Sequence, residues 1–184
     1  METVLTQEDK DRLCRIARRA FSSRFFEEAE KEVVPTPGCL QPGGAFVTLK
    51  ENGHLRGCIG RMKSSDPLKD TVAQMAEAAA FEDPRFEPLD KSELPDISVE
   101  ITVLGELKPI RGPQDFRIGI HGLYIVRGYR SGVLLPQVAV ECGWDALTFL
   151  EQVCRKAGLP QDSWNSPDSS LYAFEGFEFG ENGK

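Results

Sequence analysis

The dipeptide Asn52-Gly53 constrains this 184-residue chain more than any other local feature. Asn and Gly both tolerate positive φ, and a two-residue turn with both central positions there matches the right-handed twist of the strands it joins. The dipeptide stands between two runs of strand formers, Ala45 to Lys50 and Leu55 to Ile59, with Glu51-Asn52-Gly53-His54 as the turn. An antiparallel hairpin is therefore expected here. Its returning strand carries Leu55-Arg56-Gly57-Cys58-Ile59-Gly60, the run in which the chemistry of this sequence concentrates.

The elements around the hairpin follow from hydrophobic period and punctuation. Thr6 ahead of Gln7-Glu8-Asp9, with Leu13, Ile16, Ala17, Ala20, Phe21 and Phe25 at helical spacing, predicts an amphipathic helix over 7 to about 30. Pro35-Thr36-Pro37-Gly38 and Pro42-Gly43-Gly44 make the following stretch irregular. Asp66-Pro67 opens a second helix over roughly 67 to 81, its stripe formed by Leu68, Val72, Met75 and Ala79, and Asp83-Pro84 stops it. Ile97, Val99, Ile101 and Val103 alternate with polar residues as in a half-buried strand. Two more strands are expected around Ile118 to Val126 and Val133 to Val140. A helix from Trp144 to Ala157 ends at Gly158, and a Phe-rich strand from Leu171 to Phe179 closes the chain. This order is not βαβ alternation. It predicts an α+β fold with a mainly antiparallel sheet packed with helices, in one domain over 1–184 with room for a small second lobe.

Bulk properties exclude several function classes. Hydrophobic residues at 40% and charged residues at 28% rule out a disordered or fibrous chain. A net charge of −7 without a concentrated basic surface argues against nucleic acid as a partner. The arginines at 12, 15, 18 and 19 read as the solvated face of the first helix. Apolar runs such as Val133-Leu134-Leu135 are too short to span a bilayer, and Met1-Glu2-Thr3 opens without a signal peptide, so a cytoplasmic protein with no membrane partner is expected. Five cysteines without a Cys-x-x-Cys fit reduced thiols better than disulfides or a thiolate metal site. Neither a Gly-x-Gly-x-x-Gly nor a Gly-x-x-x-x-Gly-Lys-Ser/Thr run is present, and no cofactor is expected.

Within the hexapeptide, residues two apart on a strand share a face, so Arg56 and Cys58 are expected to project together. A nearby guanidinium favours the thiolate, the nucleophilic form of cysteine. Gly57 and Gly60 leave main chain open to a ligand. Equally, Cys58 fits a core position as a small hydrophobe. His54 and His121 are the only imidazoles, and His121 is the better general base, with Glu141 or Asp83 to orient it. Arg85 of Asp83-Pro84-Arg85-Phe86 pairs with Asp83 or offers itself to an anionic ligand, and Gln137 adds a polar group near a strand end. The candidate site is thus Cys58, His121 and Glu141 for catalysis, with Arg56, Gly57, Gly60, Asp83, Arg85 and Gln137 for substrate binding. Metal ligation by Cys58 with a histidine is the weakest reading.

Phe46-Val47-Thr48-Leu49, the Gly53 turn, the hexapeptide, Pro67-Leu68, Asp83-Pro84-Arg85-Phe86, Glu93-Leu94, His121-Gly122-Leu123, Leu135-Pro136-Gln137, Trp144, Phe149-Leu150, Lys156-Ala157-Gly158-Leu159 and Trp164 together resemble the AMMECR domain family. At this length the resemblance is to the protein A type of the AmmeMemoRadiSam system. It implies an α+β fold of two unequal lobes with the hexapeptide at a groove, and a functional link to Memo-type and radical SAM proteins. It implies no settled activity. Relatives in higher organisms tied to protein interactions keep a non-catalytic binding module as the alternative to an enzyme or enzyme component.

Overall fold

A computed structural model describes residues 5–26 and 33–181, and the chain divides into two compact units, Met1–Leu104 with Phe177–Lys184 and Gly105–Gly176. The first unit opens with α1 (Gln7–Ser22). Its Thr6 side chain accepts the Asp9 N–H while the Asp9 carboxylate accepts the Thr6 N–H, a reciprocal cap that satisfies two end donors. The helix stops at Ser22 and passes through a 3-10 turn, Ser23–Phe25; the remainder of the helix expected to about residue 30 lies largely outside the described residues.

Strands β1 (Ala45–Glu51) and β2 (His54–Arg61) form the expected hairpin, with Asn52 and Gly53 at φ 49° and 83°. α2 (Leu68–Phe81) and β3 (Ile97–Leu104) follow. β1 lies between β2 and β3, antiparallel to both, and β2 forms the edge. Alternation sorts the sheet: Ala45, Val47 and Leu49 of β1 and Val99, Ile101 and Val103 of β3 face Leu13, Ala17, Phe21, Val72 and Ala76 of the two helices. Thr48, Lys50 and Glu100 occupy the other face.

The second unit contains β4 (Lys108–Pro109), β5 (His121–Arg127), β6 (Arg130–Leu134), α3 (Pro136–Glu141) and α4 (Ala146–Lys156). The last strand, β7 (Ser170–Gly180), begins in this unit, where it pairs with β4 and β5, and its residues from Phe177 belong to the first. Phe149, Leu150, Val153 and Cys154 of α4 pack on Leu123, Ile125, Leu171 and Ala173. The strand expected over Val133 to Val140 ends at Leu134. Pro136, with φ already helical and no N–H to donate, starts α3 there instead. The chain is therefore α+β with an antiparallel sheet. Among the described residues, no helix is long and apolar enough to cross a membrane.

Candidate functional site

The hexapeptide lies on β2, and the register of the hairpin decides what surrounds it. Glu51 pairs with His54 and Lys50 with Leu55, but Leu49 pairs with Gly57, so Arg56 is an extra residue without a partner in β1. Such a bulge interrupts alternation and re-aims the side chain it carries. The Arg56 guanidinium accordingly goes to Glu93, donating from Nε at 2.6 Å and from Nη2 at 3.0 Å. The hydrogen bonds from Arg56, opposed in part by burial, hold the Glu93 carboxyl below its ordinary range. The same carboxylate accepts the Asp90 N–H at 2.7 Å, which caps the 3-10 turn Lys91–Asp96. Arg56 is thus committed to a structural ion pair with Glu93.

Beyond the bulge Thr48 stands opposite Cys58. The backbone N–H and C=O of Cys58 point away from β1, so this is a non-hydrogen-bonded pair, in which opposing side chains approach most closely. Thr48 Oγ1 donates to Cys58 Sγ at 3.2 Å. The thiol lies half-buried on the sheet face turned away from α1 and α2.

An edge strand would ordinarily leave the outward groups of Cys58 unpaired. Asp83 and Arg85 take both. Asp83 Oδ2 accepts the Cys58 N–H at 2.9 Å, and Arg85 Nη2 donates to the Cys58 carbonyl at 3.4 Å. Arg85 also donates to Asp83 through its backbone N–H, Nε and Nη2 at 3.1, 2.9 and 2.7 Å. The Arg85 hydrogen bond is the largest cause of an Asp83 carboxyl held far below the usual carboxylate range; burial opposes it and the Cys58 and Arg85 N–H groups reinforce it. Asp83 is 2% exposed at its side chain and Arg85 51% exposed, so the latch is anchored inside while its guanidinium reaches solvent. Pro84 fixes the turn that brings the two side chains to the backbone of one residue. With both carboxylate oxygens occupied, Asp83 is spoken for as a latch rather than as an orienter of an imidazole.

Packing explains the glycines. A Cβ on Gly57 would overlap the Ala79 carbonyl oxygen of α2, and one on Gly60 would overlap the Phe46 ring. The bare side of each is filled by protein.

His121, Gln137 and Glu141 belong to the second unit. His121 begins β5, pairs across the sheet with Glu175, and accepts the Arg117 N–H at Nδ1 from 3.1 Å, which leaves the proton of a neutral ring on Nε2. Gln137 is half-buried in the first turn of α3, and Glu141 is exposed at its end. Glu175, the cross-strand neighbour of His121, is the carboxylate that the sequence reading missed there. Thr48 and Glu93 were missed around the hexapeptide. Among the described residues no cluster of three or more His, Cys, Asp or Glu is disposed to hold a metal ion.

The fold and site define an α+β protein in which an Asp-Pro-Arg-Phe turn latches the edge-strand peptide of a cysteine. The sequence profile of the AMMECR1 family matches residues 14–179, and the chain belongs to that family. It is 43% identical over 192 residues to Protein MK0488 of Methanopyrus kandleri, covering 98% of this chain and 92% of that one. A protein of Methanococcoides burtonii is 39% identical over 184 residues, covering 97% and 92%. The crystal structure of the uncharacterized protein PH0010 from Pyrococcus horikoshii superposes with a TM-score of 0.88 at 36% identity, covering 97% of this chain and 94% of that one.

Proposed function

We propose that this protein is an enzyme or enzyme component in which Cys58 acts as nucleophile or covalent carrier, in the cytoplasm. The observation that carries the reading is the thiol itself: half-buried, with its backbone held on both outward groups by Asp83 and Arg85 and a hydroxyl donor on its sulfur. A held backbone removes the cost of ordering the nucleophile when a substrate arrives. Arg85 takes the role first given to Arg56, offering its exposed guanidinium to an anionic group. Within the second unit, His121 and Glu141 are the proposed catalytic groups and Gln137 a polar contact. The Memo-type and radical SAM proteins implied by the family resemblance are the proposed reaction partners.

The test is the rate of alkylation of each thiol of the folded protein at neutral pH, resolved by peptide mass spectrometry. Cys142 is exposed and serves as the internal reference, while burial and the charges of Glu181 and Asp11 push the Cys14 thiol up to about 12, keeping it silent. The proposal expects Cys58 to be alkylated at least tenfold faster than Cys142. Protection of Cys58 throughout, while Cys142 reacts, sinks covalent catalysis.

One observation favours a second reading, a non-catalytic binding module. Arg56, Gly57, Gly60 and Asp83 all have structural partners, so packing accounts for most of the hexapeptide without chemistry. In that case Cys58→Ser leaves capture of Memo-type or other partners intact, and Arg85→Ala weakens it.

A further inference from the structure

A surface cavity of about 350 Å³ lies in the second unit, where the end of β5 meets the loop after α4. Arg127, Asp162, Asn165 and two serines, Ser163 and Ser166, line it together with the apolar Pro160 and Trp164. Its frame is fixed. The Ser163 N–H donates to the Pro160 carbonyl, Asn165 to Asp162 and Ser166 to Ser163, each at 3.0 to 3.1 Å, and Trp164 packs on the core formed by α4 and the strands. Ser163 is 3% exposed and accepts from Arg127 Nη1 at 3.3 Å, which holds the guanidinium over the floor.

The chemistry of the lining narrows the ligand. Arg127 and Asp162 carry opposite charges, so the cavity has no net attraction for a phosphate or a simple cation. The ion pair of Arg127 with Asp168 spans 3.7 Å, and Asp168 is 75% exposed, so it is weak and readily exchanged for a ligand contact. What remains is a guanidinium that only donates, a carboxylate that only accepts, an amide and two hydroxyls that do both, and one aromatic ring. Planar side chains of both polarities match neighbouring hydroxyl groups, each of which is donor and acceptor at once. An indole beside them suits the C–H face of a saturated ring. Apolar lining limited to Pro160 and Trp164, beside five polar residues, suits one face of a ring better than a greasy ligand, which ordinarily takes a mostly apolar pocket.

We infer that the cavity at Arg127, Asp162, Trp164 and Asn165 is a binding site for a neutral saccharide unit, with vicinal hydroxyls read by Arg127, Asp162 and Asn165 and the sugar ring against Trp164. The site is independent of Cys58.

The test observes the two indole N–H signals of the ¹⁵N-labelled protein, assigned with Trp164→Phe, during titration with methyl α-glucoside, methyl α-mannoside and methyl β-galactoside. Glycerol, cyclohexanol, L-alanine and inorganic phosphate are the comparison probes. At least one glycoside should shift the Trp164 signal saturably while Trp144 stays still, and glycerol and cyclohexanol should give at least tenfold weaker responses. Asp162→Asn and Asn165→Ala, both at exposed positions where folding is retained, should each weaken the response at least fivefold. No saturable response to any glycoside overturns the inference. So does a response to L-alanine or phosphate alone, or unchanged glycoside binding in both variants.

Discussion

The two units treat their candidate residues differently. In the first, Arg56, Gly57, Cys58, Gly60, Asp83 and Arg85 are each locked against a partner: an ion pair, a helix carbonyl, a ring or a latch. In the second, Glu141 is exposed and, among the described residues, the His121 ring is held by one backbone donor at Nδ1. The difference separates two meanings of a motif. The hexapeptide is first a structural solution that presents one thiol, whereas His121 and Glu141 contribute little to folding and owe their place in the proposal to their chemistry.

That contrast can be broken by substitution. The largest effect is expected at Gly57, because the overlap is with the backbone of α2, which cannot step aside: Gly57→Ala should cost about 3 kcal/mol in chemical denaturation. A loss under about 0.5 kcal/mol would show that β2 and α2 are not held so closely. Asp83→Ala should cost about 2 kcal/mol, since it orphans the Cys58 N–H. The pH dependence has a defined sign. The folded Asp83 carboxyl sits below its ordinary value, so its contribution is fully present above about pH 4 and is lost as the pH falls further. Wild type and Asp83→Asn should therefore converge in stability toward pH 2. Gly60→Ala should cost about 1 kcal/mol, because the Phe46 ring can rotate away. Smallest of all, His121→Ala should change stability by no more than about 0.5 kcal/mol; a loss above about 2 kcal/mol would place His121 with the structural residues and erase the contrast.

The sequence carried much of this arrangement, and the exceptions have identifiable causes. The hairpin was legible because Asn52-Gly53 admits one turn. Its register was not. Continued unbroken from the Glu51–His54 pair, it would set Thr48 opposite Gly57, and only the bulge at Arg56 brings Thr48 to Cys58. The same bulge sends Arg56 to Glu93, a residue 37 positions away that nothing in local patterning connects to it. Asp83 and Arg85 were visible as a charged pair around a proline, but their target was not, because an edge strand does not advertise which peptide is capped. The apolar run after Val133 alternates like a strand, and Pro136 decided for a helix. Glu175 escaped notice because pairing of β5 with β7 spans 54 residues and leaves no local trace.

The latch on the Cys58 peptide is the central claim, and amide hydrogen exchange at Cys58 tests it most directly. On an edge strand the outward N–H of Cys58 should exchange as slowly as the inward N–H groups of β2, and Asp83→Ala should accelerate it at least a hundredfold while inward amides on β2 change far less. Fast exchange at Cys58 in the wild-type protein, or slow exchange that survives Asp83→Ala, would contradict the account.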